Sequence, residues 1–199
     1  MILGPWYIVI GYDRPDYRPL DLSADRELDE AHWSYIDQAQ GMLARGPLLT
    51  REHDGHVGSV HVITASDMYV AKQFALNEPY NLAGLYSTVE VLGFEPWFTA
   101  SMWERPGRES PTSWFLRIHF GDQQPDKRTV LAAPIEIPDS VLCAGWLTAD
   151  DSPAIVGAVL LADGSASEMS GLVNDVTASL TMEPIAATIV PWRRGGRIL

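Results

Sequence analysis

The first apolar run, Trp6-Tyr7-Ile8-Val9-Ile10, is rich in aromatic and β-branched residues and ends in a Gly/Asp/Pro loop, which predicts a strand over Trp6 to Tyr12. Beyond it the period changes. Leu28, His32, Tyr35, Ala39 and Met42 recur at steps of four and three, the spacing of one buried helical face. Ser23 supplies a cap, and Asp25 and Glu27 supply acids for the first turn, so a helix is expected from there to about Arg45. Pro47 to Thr50 and Val57 to Thr64 read as two strands around the turn Glu52-His53-Asp54-Gly55. A second helix is expected after Ser66, carrying Met68, Ala71, Phe74 and Ala75 and stopped near Asn77-Glu78-Pro79. Leu85 to Leu92 alternates and closes the series as a strand. The order β-α-β-β-α-β is that of a ferredoxin-like unit.

The pattern then repeats. Leu43-Ala-Arg-Gly-Pro-Leu48 and Leu142-Cys-Ala-Gly-Trp-Leu147 stand 99 residues apart, and Val57-Gly58 and Val156-Gly157 follow at the same offset. Ser59-Val60 aligns with Ala158-Val159 and Ser66 with Ser165, while Pro96-Trp97 and Pro191-Trp192 end the two copies. Trp114-Phe115-Leu116-Arg117-Ile118 opens the second copy as Trp6 to Ile10 opens the first. Ser165-Ala-Ser-Glu168 is a capping box for its second helix, and Ile185 to Val190 is its last strand. Pro125, Pro134 and Pro138 interrupt the stretch where its first helix belongs. The expected organisation is a unit over 1–99, a linker over 100–112 and a degenerate second unit over 113–199. The fold class is α+β, with two ferredoxin-like units pairing within the chain as a dimeric α/β barrel.

Charge narrows the partners. The 199 residues hold 14 Lys and Arg against 26 Asp and Glu, a net charge of −12, and only Lys72 and Lys127 are lysines. Such a field repels phosphate backbones and anionic membrane surfaces, so neither nucleic acid nor membrane is expected as a partner. The longest apolar run, Ile155 to Ala162, is strand-sized, and the first residues lack a signal-peptide pattern, so a cytoplasmic protein is expected. Cys143 stands alone and forms neither an internal disulfide nor a zinc cluster. His53, His56 and His61 lack a matching carboxylate or cysteine set, and no Gly-x-Gly-x-x-Gly follows a strand. No metal and no cofactor are expected. The Arg193-Arg194-Gly195-Gly196-Arg197 tail is a positive patch that either frays or clamps an acidic surface or an anion.

His32 is the leading candidate for chemistry, because it lies within the apolar stripe and so faces the sheet. A buried imidazole needs a partner. It is either a core histidine bonded to a hydroxyl or carbonyl, or a general acid/base, its ordinary pKa lying near neutrality. Ser59, beside Gly58 on a strand, could point its hydroxyl into the same cleft. Tyr7, Tyr80 and Tyr86 could line a small pocket, and Arg26 could hold an anionic group.

Gly46-Pro47-Leu48, Gly55, Gly58-Ser59-Val60, Ala71 through Phe74, Pro79-Tyr80 and Ala83-Gly84-Leu85 together resemble the YciI-like (YCII-related) family, as does His32 with Tyr35 three positions on. The resemblance covers roughly residues 5 to 97. It implies ferredoxin-like domains whose sheets pair into a barrel, in a family that includes a dehydrochlorinase of chlorinated hydroxyquinols and is similar in fold to muconolactone isomerases. The family's histidine has an aspartate partner just before the Pro-aromatic pair, and here that position is Glu78, one methylene longer. The resemblance therefore implies a small-molecule lyase or isomerase using His32 and Glu78. A non-catalytic ligand-binding or accessory module is the rival, and homodimerisation is open.

Overall fold

The structure, a computed structural model, describes residues 4–16, 22–108, 112–120, 136–149, 152, 154–180 and 184–195, without the side chains of 22–25. Strand β1 (Trp6–Asp13) pairs antiparallel with β3 (His56–Thr64), which pairs with β2 (Met42–Leu49); on its other side β1 pairs with β4 (Tyr86–Pro96). The second half repeats the order. Strand β5 (Ser113–His119) pairs with β7 (Ile155–Asp163) and β8 (Ala186–Trp192), and β7 pairs with β6 (Val141–Thr148). Joining β2 to β8 and β4 to β6 closes one barrel of order β1-β3-β2-β8-β5-β7-β6-β4. The chain is thus an α+β protein of two ferredoxin-like units.

The two seams bring backbones into close approach. A Cβ added at Gly46 would lie 2.0 Å from the Arg193 carbonyl oxygen, and one at Gly145 would lie 2.6 Å from that of Glu95. Both repeated glycines therefore stand where one unit's edge strand meets the other's.

Alternation along the strands sorts side chains into a barrel interior and an outer face. Ile8, Ile10, Val60, Val62, Phe94, Phe115, Val159, Leu161 and Trp192 fill the interior, which belongs to both units. Met102, from the segment expected to link the units, is fully buried in that same cluster, its amide bonded to the Leu43 carbonyl. The guanidinium of Arg194 donates to the carbonyls of Met102 and Arg105, so this part of the arginine patch fastens the connecting segment; residues 196–199 lie outside the described residues. At another point, Arg117 of β5 donates to the Tyr12 hydroxyl of β1 at 2.8 Å and to Glu90 of β4 at 2.7 Å.

Helices cover the outer faces. In the first unit these are α1 (Leu22–Gln38), α2 (Met68–Leu76) and the single turn α3 (Pro79–Leu82). In the second, α4 (Ala166–Ala178) packs Met169, Leu172, Val173 and Val176 onto Leu116, Ile118, Ala144 and Leu160. The Ser165 capping box forms as expected. The stretch broken by Pro125 and Pro134 lies outside the described residues, and Pro138 sits in a loop before β6.

Several boundaries differ from expectation. The first helix stops at Gln38 rather than near Arg45, and Ser23 lies inside it rather than capping it. Gly41, with φ +80°, turns the chain, and Met42 to Ala44 enter β2, where Leu43 and Ala44 join the barrel interior. Asp67, not Ser66, caps α2, accepting from the Val70 amide at 2.9 Å.

Candidate functional site

On β3 the period of two separates Val60 and Val62, which enter the barrel, from Ser59, His61 and Ile63 on the outer face. On that outer face His61 meets His32 of α1 and Phe74 of α2, and Ile63 packs with Ala71 and Ala75 of α2. Helix α1 brings His32 over it at helical spacing from Leu28 and Tyr35, with 5% of its surface exposed.

The Nδ1 of His32 meets the Glu78 Oε1 at 2.5 Å, and Glu78 is itself only 3% exposed. Glu78 is held by a second duty. It caps α3, its Oε1 accepting from the Tyr80 amide at 3.1 Å and its Oε2 from the Asn81 amide at 3.0 Å. Pro79 at the first position of that turn presets its backbone. The carboxylate is thus fixed by two amides before it meets the imidazole. Among the described residues no hydrogen bond occupies the Nε2 of His32.

Aromatic rings enclose the pair. Tyr80 stacks on the His32 ring, centroids 4.0 Å apart and planes within 8°, and its hydroxyl donates to Asp29 Oδ1 at 2.5 Å. Burial and the Asp29 carboxylate both push the Tyr80 phenol well above its ordinary range, so it stays protonated. Tyr86 stands edge-on to Tyr80, and its hydroxyl shares a 2.8 Å hydrogen bond with Ser59. Its ring crosses β1 at Gly11, where an added Cβ would lie 2.8 Å from it. Burial, with Glu78 next, raises Tyr86 well above 10. His61, 6.2 Å from His32 between ring centroids and edge-on to Phe74, is pushed down to about 3 by burial, assisted by His32 and Arg45. His61 is therefore neutral at physiological pH.

The expected residues separate accordingly. His32, Glu78, Ser59, Tyr80 and Tyr86 come together. Tyr7 does not: it pairs with Ile63 toward the other end of β1 and packs in the apolar layer under α2 with Val9, Ala71 and Ala75. Arg26 does not either, because six residues along a helix turn it to the solvent side, where it pairs with Glu30 at 3.2 Å. Asp29 and His61 also stand with this set. The parity of β3 was the available signal for His61, since it shares a face with Ser59.

Residues 6–95 match the model of the YCII-related domain. No curated protein matches the chain. Among solved structures, 5-chloro-2-hydroxyhydroquinone dehydrochlorinase from Burkholderia phenoliruptrix, in complex with 2,5-dihydroxybenzoquinone, is 22% identical, covering 43% of this chain and 89% of its own at a TM-score of 0.36. A mutant chlorite dismutase from Candidatus Nitrospira defluvii is 9% identical, covering 94% of this chain and 90% of its own at a TM-score of 0.58. The second likeness spans both units and concerns the fold alone.

Proposed function

We propose, on the premise that this chain belongs through residues 6–95 to the YCII-related family, that it is a small-molecule lyase or isomerase in which His32 moves a proton and Glu78 holds its ring. The observation that carries this reading is the buried Nδ1–Oε1 contact. A carboxylate already bonded to two amides accepts the Nδ1 proton, which leaves the lone pair on Nε2, the tautomer of a general base. Ser59 and Tyr86 add hydroxyls beside it, and Tyr80 adds a flat aromatic face. We propose further that residues 1–99 form the functional unit, 100–112 the linker, and 113–199 a degenerate copy that completes the barrel.

The rival reading, a module that binds a ligand without turning it over, is favoured by one observation: Tyr80 already covers the face of His32. Nitrogen-15 NMR of the histidine rings separates the two. A small planar enolisable probe, 2,5-dihydroxybenzoquinone, is expected to shift the Nε2 resonance of His32, and Glu78→Gln is expected to alter the tautomer. If the probe moves Tyr80 resonances and leaves Nε2 unmoved, and His32→Ala costs only stability, the proton-transfer reading falls.

A further inference from the structure

Arg194 fastens the connecting segment, whereas Arg193 turns the other way. Trp192 before it enters the barrel interior, so alternation sends Arg193 to the outer face. Its amide donates to the Pro47 carbonyl at 3.1 Å, and Pro47 is the register partner of Ser59. A residue of the second unit thus stands in the same row across the sheet as Ser59, two strands away. One row along, the Gly195 amide donates to the Arg45 carbonyl at 3.0 Å, and Arg45 is the register partner of His61. The Arg45 guanidinium lies 5.5 Å from the centre of the Trp33 ring, and that ring meets His32 edge-on at 5.1 Å. The two arginines therefore flank one side of the face that carries Ser59, His61 and His32.

The second unit shows that the fold requires neither cation. At its own seam the Trp97 amide donates to the Ala144 carbonyl, and Glu95 is the register partner of Trp146. Arg45 and Pro47 thus correspond to Ala144 and Trp146, and Arg193 and Gly195 to Glu95 and Trp97. Trp97 and Trp146 pack edge to face at 4.9 Å, and Phe120 lies 6.2 Å beyond Trp146. Their counterparts Gly195 and Pro47 carry no such bulk, and a Cβ added at Gly195 would meet no described atom within 4 Å. Where one unit is filled by indole rings, the other has room bounded by two guanidinium groups.

We propose that Arg45 and Arg193 form an anion subsite beside His32, and that the molecule this cleft takes is a small one carrying a carboxylate. This deepens the proton-transfer reading and rests on it for what the cleft does with the molecule. The carboxylate accepts hydrogen bonds from the two Nε–H groups, which sets the rest of the molecule over Ser59 and the His32 ring. The second unit then does more than complete the barrel. It lends the first unit's site one of its two cations.

Both arginines have hydrogen-bonding capacity to spare. Arg45 Nη1 donates to Asp37 Oδ1 at 2.9 Å, but its Nε and the Nε of Arg193 are buried with no hydrogen-bond partner among the described residues. A buried donor left without an acceptor costs free energy, and a guanidinium stays charged at any physiological pH, so each site favours an incoming anion. The net charge of −12 repels anions at long range, so a carboxylate is held only where fixed cations stand close together.

The test compares 2,5-dihydroxybenzoate with 2,5-dihydroxybenzamide, which differ in that one charge, by calorimetry and by nitrogen-15 NMR of the arginine Nε–H groups and histidine rings in the full-length protein. The benzoate is expected to bind at least about tenfold tighter than the amide, and to shift the Nε–H signals of Arg45 and Arg193 together with the His32 ring. Arg193→Gln is expected to bring the two affinities within about twofold, and Arg193→Lys to restore part of the preference. Because the preference is a ratio measured on each folded variant, a loss of stability does not imitate it. Equal affinities in the wild type, an unchanged ratio in Arg193→Gln, or arginine shifts without a shift at His32 each overturn the subsite. The His32–Glu78 reading survives any of these if 2,5-dihydroxybenzoquinone still shifts the Nε2 of His32. A preserved preference for the benzoate, with a His32 tautomer that ignores Glu78→Gln, supports the subsite and removes the proton-transfer reading.

Discussion

The two units share one strand order and one kind of seam, yet the faces beneath their helices have opposite character. In the first unit the outer face of β3 carries Ser59 and His61, overlain by His32 and Glu78; in the second the matching positions of β7 are Ala158 and Leu160, packed against α4. The difference teaches what the fold itself demands. A sheet face under a helix needs only apolar filling, which the second unit supplies with aliphatic and aromatic side chains. Burying histidines and carboxylates there costs free energy unless every one is paired, so the paired set in the first unit is an addition to the fold rather than a condition of it.

Breaking the polar set should therefore harm the first unit where the second has nothing to lose. Glu78→Ala strands the His32 ring and uncaps α3 together, and is expected to cost about 3–5 kcal/mol, the range for removing one partner of a buried pair. Urea unfolding followed by fluorescence measures it, and a loss below about 1 kcal/mol would mean the pair is not buried as described.

Copying the second unit into the first is the sharper comparison. His61→Leu installs the residue of position 160. The folded His61 has its pKa pushed down to about 3, against about 6.5 when unfolded, so the unfolded chain binds more protons below pH 6.5 and wild-type stability falls as pH drops toward 3. The variant lacks that component. At pH 4.5, two units below the unfolded value, it should unfold about 2–3 kcal/mol harder than wild type relative to their difference at pH 7.5. Identical pH profiles for the two proteins would refute the buried neutral state of His61.

Asp13 carries the opposite sign. Its folded pKa is raised to about 6, so its contribution is complete below the unfolded value near 4 and is lost as pH rises through 6. Asp13→Asn is expected to gain about 1–2 kcal/mol at pH 7.5 over pH 4, discounted for its partial exposure. Thermal denaturation at the two pH values checks this; a variant destabilised most at pH 7.5 would reverse the assignment.

The smallest effect belongs to the second unit. Ser165→Ala removes one half of a reciprocal cap at α4, where the Ser165 hydroxyl accepts the Glu168 amide at 3.3 Å, and should cost about 1 kcal/mol. Ring resonances of His32 are expected to stay in place, and movement there would show that the two faces are coupled through the barrel.

Much of the fold was legible because its signals are local. The aromatic and β-branched run of Trp6 to Tyr12, the capping box at Ser165 and the glycines repeated at an offset of 99 are each readable from the residues themselves, and each stands where expected. The end of α1 was not. Met42 continues the helical spacing of the stripe, and nothing local shows that Leu43 and Ala44 are needed inside a barrel. Within the site, the burial of His32 was legible from its stripe, and Glu78 as its partner only through the family resemblance at Pro79-Tyr80. Tyr7 and Tyr86 are alike in composition and in facing outward, and only position along the paired strands distinguishes the packing residue from the site residue.

The sequence by itself determined the periods, and the periods determined the order of elements and which face of each is buried, because a two-residue or 3.6-residue repeat acts through adjacent turns of one chain. Only the tertiary structure decided that the two sheets close on each other and that His32 meets Glu78, 46 residues away. The same holds for Asp13 and His56, which meet through the register of β1 against β3. Such meetings depend on strand pairing and helix placement over long separations, where no local repeat carries information about the partner.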